Sequence, residues 1–128
     1  MRIDRGAGTV LMLGLCGLVA VVGVGTAALG VLFDAREKAA TAAEAAALAA
    51  AVATYAPAAD QTPDHVAAIL ARQNGARLIS CWCDLDSSLR ARVVAVTVAL
   101  TADVPLFGEV AVGKTARAEF DPRLWLGR

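Results

Sequence analysis

Few side chains in this sequence are equipped for chemistry, and their spacing limits what they can do. The chain has a single histidine, His65. Metal centres draw on several His, Cys or carboxylate ligands at close spacing, and no cysteine stands near His65, so no metal site is expected. Ser87 and Ser88 sit in an Asp86-Ser87-Ser88 turn without the glycine elbow that presents a nucleophilic serine, and a Ser-His-acid set would have to recruit the same His65. Asp84 and Asp86 flank that turn and read as solvated carboxylates rather than a general acid/base pair. No glycine-rich phosphate loop is present; the glycines fall in an apolar run or at turns. The expectation is a protein that is not an enzyme, with no cofactor and no small-molecule substrate.

The three cysteines carry more information. Cys16 lies in the apolar run and is expected to pack as a small apolar residue. Cys81 and Cys83 are two apart on a predicted strand, so both point to one face. A dithiol redox motif has two intervening residues and a helix N-terminus to lower the thiol pKa; neither is present. A strained bridge between Cys81 and Cys83, free thiols and bridges between chains are all open readings.

The elements that would position these residues begin with a segment free of charge. Residues 7–33 contain no Asp, Glu, Lys or Arg. As a helix the run would span roughly 40 Å at about 1.5 Å per residue, more than the about 20 apolar residues a hydrocarbon core needs. A head this small could not bury such a helix on all sides, so residues 7–33 are expected to cross a membrane. Arg2, Arg5 and the terminal amine precede the run, and Arg36 and Lys38 follow it with Asp34 and Glu37. The very short tail favours a cytoplasmic N-terminus and an extracytoplasmic C-terminal part. Cys16, Ala20, Gly23, Ala27 and Gly30 recur at four- and three-residue steps on one stripe, and small stripes let helices approach closely in lipid. The rival reading is a secretory signal cleaved after Thr26 and Ala28, which would release the rest.

Beyond the span, residues 34–56 are rich in Ala with no Gly or Pro, so the helix should continue as a rod, with Leu48, Val52 and Tyr55 as its packing edge. Thr62-Pro63-Asp64 is a helix start, with a capping hydroxyl and Pro at the first position. Val66, Ile69 and Leu70 should be its buried stripe, and Asn74-Gly75 its end. Three β segments follow, at 77–84, 89–100 and, after a 102–108 connection, 110–120, with Val94, Val96, Val98 and Leu100 on one face. The predicted fold class is α+β: a long N-terminal helix, a short helix and a small three-stranded antiparallel sheet. The expected organisation is a tail at 1–6, a span at 7–33, a helical extension at 34–56, an exported α+β domain at 57–122 and a flexible tail at 123–128. Twelve Lys+Arg balance twelve Asp+Glu, with only 5% aromatic residues. That leaves neither a basic field nor a stacking surface for nucleic acid.

Taken in order, Arg5-Gly6-Ala7-Gly8-Thr9-Val10, Ala42-Ala43-Glu44-Ala45-Ala46-Ala47-Leu48-Ala49-Ala50, Asn74-Gly75-Ala76-Arg77-Leu78 leading to Cys81, and Thr115-Ala116-Arg117-Ala118 resemble the TadE/TadG-like proteins of tight-adherence (Flp) pilus systems, most of all the actinobacterial branch found in secretion gene clusters. The resemblance implies a pilin-like architecture: a helix held in the membrane, an exported head, and a minor or accessory role among other pilus or secretion subunits packed helix against helix. It marks Gly6 as the position a prepilin peptidase would process. Two features depart from the pattern. Processed relatives carry glutamate five residues after the cleaved glycine, where this chain has Leu11. The stretch 65–73 also lacks the cysteine that in many relatives accompanies the one matching Cys81.

Overall fold

The computed structural model describes residues 5–127. Positions 1–4, with Arg2 and most of the expected N-terminal tail, lie outside the described residues, as does Arg128. The architecture is α+β, as the sequence predicts. Helix α1 (Arg5–Ala53) is 49 residues long; a one-turn 3-10 segment (Ala56–Ala58) and α2 (Pro63–Gln73) follow. Strands β1 (Arg77–Trp82), β2 (Arg92–Val104) and β3 (Gly108–Phe120) form one antiparallel sheet in that order, and α3 (Pro122–Trp125) closes the chain.

No Gly or Pro follows Gly30 within α1, and nothing at Phe33-Asp34 stops a helix, so span and extension are one continuous rod. Its two halves differ in what covers them. Residues from Gly6 to Ala27 are exposed, whereas Ala35, Ala39, Ala42, Ala43, Ala46 and Ala50 are buried. The sheet lies against this alanine seam through Val94, Val96 and Val98 of β2 and Ala118 and Phe120 of β3. A seam of single methyl groups lets a sheet approach the helix backbone closely, so large side chains are unnecessary on the helix side. The expected packing edge is corrected accordingly: Leu48 and Val52 are exposed, and only Tyr55 packs on the core. The core is shared by α1, α2 and the sheet, so the 34–56 extension is part of the head's interior rather than a stalk beneath it.

The buried residues of α2 are likewise Pro63, Ala67 and Ala71, with Val66, Ile69 and Leu70 only partly covered. Thr62 occupies the N-cap position, but its hydroxyl makes no capping bond. The C-terminus of α2 follows the expected Asn-Gly signal: Gly75 adopts φ +76°, the Ala76 N–H donates to Ala71 O at 2.9 Å and the Gly75 N–H to Arg72 O at 3.0 Å. This is the paired closure of a helix ended by a left-handed glycine.

β2 starts at Arg92 rather than at Leu89, and both β2 and β3 continue further toward the turn between them than the sequence pattern indicates. Their ladder is unbroken from Arg92↔Phe120 to Val104↔Gly108, and the expected 102–108 connection shrinks to a turn at Pro105, Leu106 and Phe107. β1 carries a bulge between Leu78 and Ser80. The extra residue, Ile79, flips the alternation, so Leu78 and Cys81 both reach the core although three positions apart. The region expected as a tail instead begins with α3. The Asp121 carboxylate accepts from the Arg123 N–H at 2.9 Å, and the Trp125 ring lies 6.5 Å from that of Phe120.

Candidate functional site

Among the described residues of the head, the side chains singled out in the sequence make mainly local contacts. His65 is exposed on the first turn of α2, its Nδ1 2.8 Å from Gln61 Oε1. Cys81 and Cys83 are joined in a disulfide with a Cα–Cα distance of 5.4 Å, which is one of the three open readings. Asp64 approaches them from the start of α2, with Oδ1 3.6 Å from Cys83 Sγ; the three candidate ligand atoms lie within 4.8 Å of one another. Sequence spacing gave no sign of this convergence across 19 residues. Bonded sulfurs have no thiolate to offer a cation, so the cluster in this state is a crosslink beside a carboxylate.

A second constellation escaped the sequence reading. The Arg92 guanidinium reaches Thr54 O at 3.3 Å and Asp86 O at 2.6 Å, and also donates to Ser88 O. The Asp86 N–H donates to Thr54 O at 2.9 Å. These bonds tie the loop before β2 to Thr54, the residue that follows α1, where the helix's last carbonyls have no helical partner of their own. The Ser88 N–H and hydroxyl donate to the Asp86 carboxylate at 2.7 and 2.8 Å. Those bonds, more than the nearby Arg92 charge, hold the Asp86 carboxyl below its ordinary range. Asp86 is thus part of the clamp, through its carboxylate on Ser88 and its N–H and carbonyl on Thr54 and Arg92. One sequence signal existed: Arg92 shares the alternation of Val94, Val96 and Val98, and a cation on a core-facing parity needs partners.

The remaining candidate is the lower half of α1. Cys16, Ala20, Gly23, Ala27 and Gly30 are all exposed, and Cys16 is a free thiol. A methyl added at Gly23 or Gly30 would meet nothing within 4 Å. At about 100° per residue the stripe lies roughly 130° around the helix from the alanine seam, so it points away from the head. The one hydroxyl near it, that of Thr26, donates to Val22 O and Gly23 O at 3.0 and 2.9 Å, the internal satisfaction a polar group requires in hydrocarbon. Gly6 begins the apolar run in the second residue of α1, also exposed.

An exposed apolar half is joined without a break to a buried alanine half along α1. Residues 6–53 match the family model of putative Flp pilus-assembly TadE/G-like proteins. No curated protein and no solved structure matches the chain. The TadE/G-like segment ends at the last residue of α1, Ala53. It therefore contains the candidate processing position, the small stripe and the helix side of the head's core, while α2 and the sheet lie beyond it. Helix α1 is long and apolar enough to cross a membrane once, which fits a single-pass membrane protein.

Proposed function

We propose that this protein is a membrane-anchored accessory subunit, or minor pilin, of a Flp-type pilus or related secretion apparatus, with a structural role and no catalysis. The observation that carries the reading is the TadE/G-like match over a helix whose lower half is fully exposed and apolar. The head then stands on the extracytoplasmic side, and the small stripe, turned away from the head, packs against helices of neighbouring subunits. Leu11 supports an accessory rather than a major filament role. A carboxylate at that depth is costly in lipid and is relieved by a partner in a growing filament, whereas Leu11 rests in the bilayer without such a pull. The secreted alternative would place a cut near Ala28, between the apolar half of α1 and its alanine half.

The test compares sheared filaments with membranes from the native host and determines the mature N-terminus by mass spectrometry. The proposal expects the chain in membranes, at most substoichiometric in filaments, and either intact or cut after Gly6. Abundance in filaments near that of the major pilin would overturn the accessory role. Cleavage near Ala28 would favour release.

A further inference from the structure

We propose that the tip of the β2–β3 hairpin is a second membrane-contact site, at which Leu106 and Phe107 insert into the lipid surface from which α1 emerges. The inference rests on the reading of α1 as a membrane span and goes beyond it, because a single helix needs no help from the head to stay anchored.

The hairpin descends alongside α1 well below the alanine seam. Val104, Phe107 and Val110 line one groove with Val22, Ala28 and Leu32 of the helix, a stretch inside the uncharged run that ends at Phe33. The first charges on the two elements lie at one level. Asp34 and Lys38, paired at 2.7 Å, share a surface depression with Thr101 and Asp103, and Glu109 stands directly opposite Asp103 in the ladder. Two acidic side chains facing each other across a ladder repel and are held in water. Below that level α1 has no charge until Arg5, and the hairpin has none from Val104 to Gly108.

The tip is shaped for an apolar medium. Leu106 is 86% exposed and Phe107 75%. Leu106 holds φ +69°, a left-handed conformation that favours glycine or asparagine and is uncommon for a bulky side chain. A turn built only to reverse the chain would use one of those residues. From Asp103 to Leu106 is about 10 Å at about 3.3 Å per residue, comparable with the about 5–10 Å to which interfacial segments bury their apolar faces. Wherever the bilayer sits along the run, the tip meets lipid. A core of about 20 residues starting at residue 7 ends near Thr26, level with the tip, and one ending at Phe33 places the tip inside the leaflet.

The test reconstitutes the full chain in vesicles containing nitroxide-labelled lipid, in a Trp82→Phe/Trp125→Phe background, with single reporters Phe107→Trp, Leu106→Trp, Val19→Trp or Glu44→Trp. The tip positions make little packing contact, so their reporters leave the fold intact, which circular dichroism checks. The expected result is blue-shifted Phe107→Trp and Leu106→Trp emission, quenched most by label near the headgroups. Val19→Trp should be quenched by label deep in the chains, and Glu44→Trp by neither. Water-like, unquenched tip reporters beside a quenched Val19→Trp would overturn the inference and leave the anchor standing. Blue-shifted but unquenched tip reporters would mean that protein, such as a second copy, covers the tip, and would overturn it equally. An unquenched Val19→Trp would remove the membrane reading itself.

Discussion

Arg92 is the side chain on which the head's geometry most depends. It is nearly buried, and its guanidinium donates to the backbone carbonyls of Thr54, Asp86, Ser88 and Arg90. Hydrogen bonds to a charged group contribute about 1.5–3 kcal/mol each, and removing the cation leaves those carbonyls unpartnered. Arg92→Met should therefore lower stability by about 2 kcal/mol or more, read by denaturant unfolding of the detergent-solubilised chain. An effect within experimental error would mean that water replaces the clamp. Asp86 adds a pH dependence of definite sign. Its carboxyl is held low in the folded state by the Ser88 N–H and hydroxyl, so the charged form is favoured by folding. That contribution is complete above the unfolded value, near pH 4, and is lost as pH falls through the lower folded value. Asp86→Asn should flatten the acid limb of the stability curve while leaving the neutral region less stable than the parent.

At the scale of the element, α1 is a helix with two solvents. The upper seam tolerates methyl groups and nothing larger, because Ala43, Ala46 and Ala50 have no exposed surface. Ala46→Leu should cost about 1–3 kcal/mol through overpacking, while Leu48→Ala, two residues on and 63% exposed, should stay within about 0.5 kcal/mol. Comparable losses at both positions would contradict the seam. In the lower half the small stripe is exposed, and a Cβ added at Gly23 or Gly30 would meet nothing within 4 Å, so substitutions there should act mainly outside the fold of the protomer. Gly23→Leu or Ala27→Leu should weaken helix association in a membrane two-hybrid or crosslinking assay, and Leu18→Ala, on another face, should do less. Equal effects from both faces would make the stripe a by-product of a Gly- and Ala-rich segment.

For the whole molecule, a head fused through its own core to the end of the span cannot swing freely. The same helix that is exposed below Ala28 is the spine of the interior above Ala35. The orientation of the head relative to the bilayer is thus set by one rigid element, with the hairpin tip as a second point of contact. Anchoring by some 20 apolar residues far exceeds peripheral attachment, so the protein should stay with membranes through high-salt and carbonate washes. Release of full-length chain into the soluble fraction would end the single-pass reading.

The sequence by itself determined the features that depend on one residue type or one short spacing. The uncharged run is long and apolar enough to cross a membrane as one helix, Asn74-Gly75 closes α2 because glycine alone enters the left-handed turn without cost, and the Val94-Val96-Val98 alternation places β2 with its apolar face on the core. Tertiary structure decided the rest. Along residues 35–53 alanine occurs on every side of α1, so apolar periodicity could not separate the buried face from the exposed one; Leu48 and Val52 were the only larger residues to follow, and they face outward. The bulge at Ile79 brings Leu78 and Cys81 to the core against strict alternation, and the approach of Asp64 to Cys83 depends on how α2 docks against β1. The length of the β2–β3 ladder was set by pairing between strands, which extends through Ala102 and Gly108 although neither residue favours a strand alone. The level at which the hairpin meets α1 follows from that length. No local pattern encodes it, because it is a distance between two elements far apart in the chain.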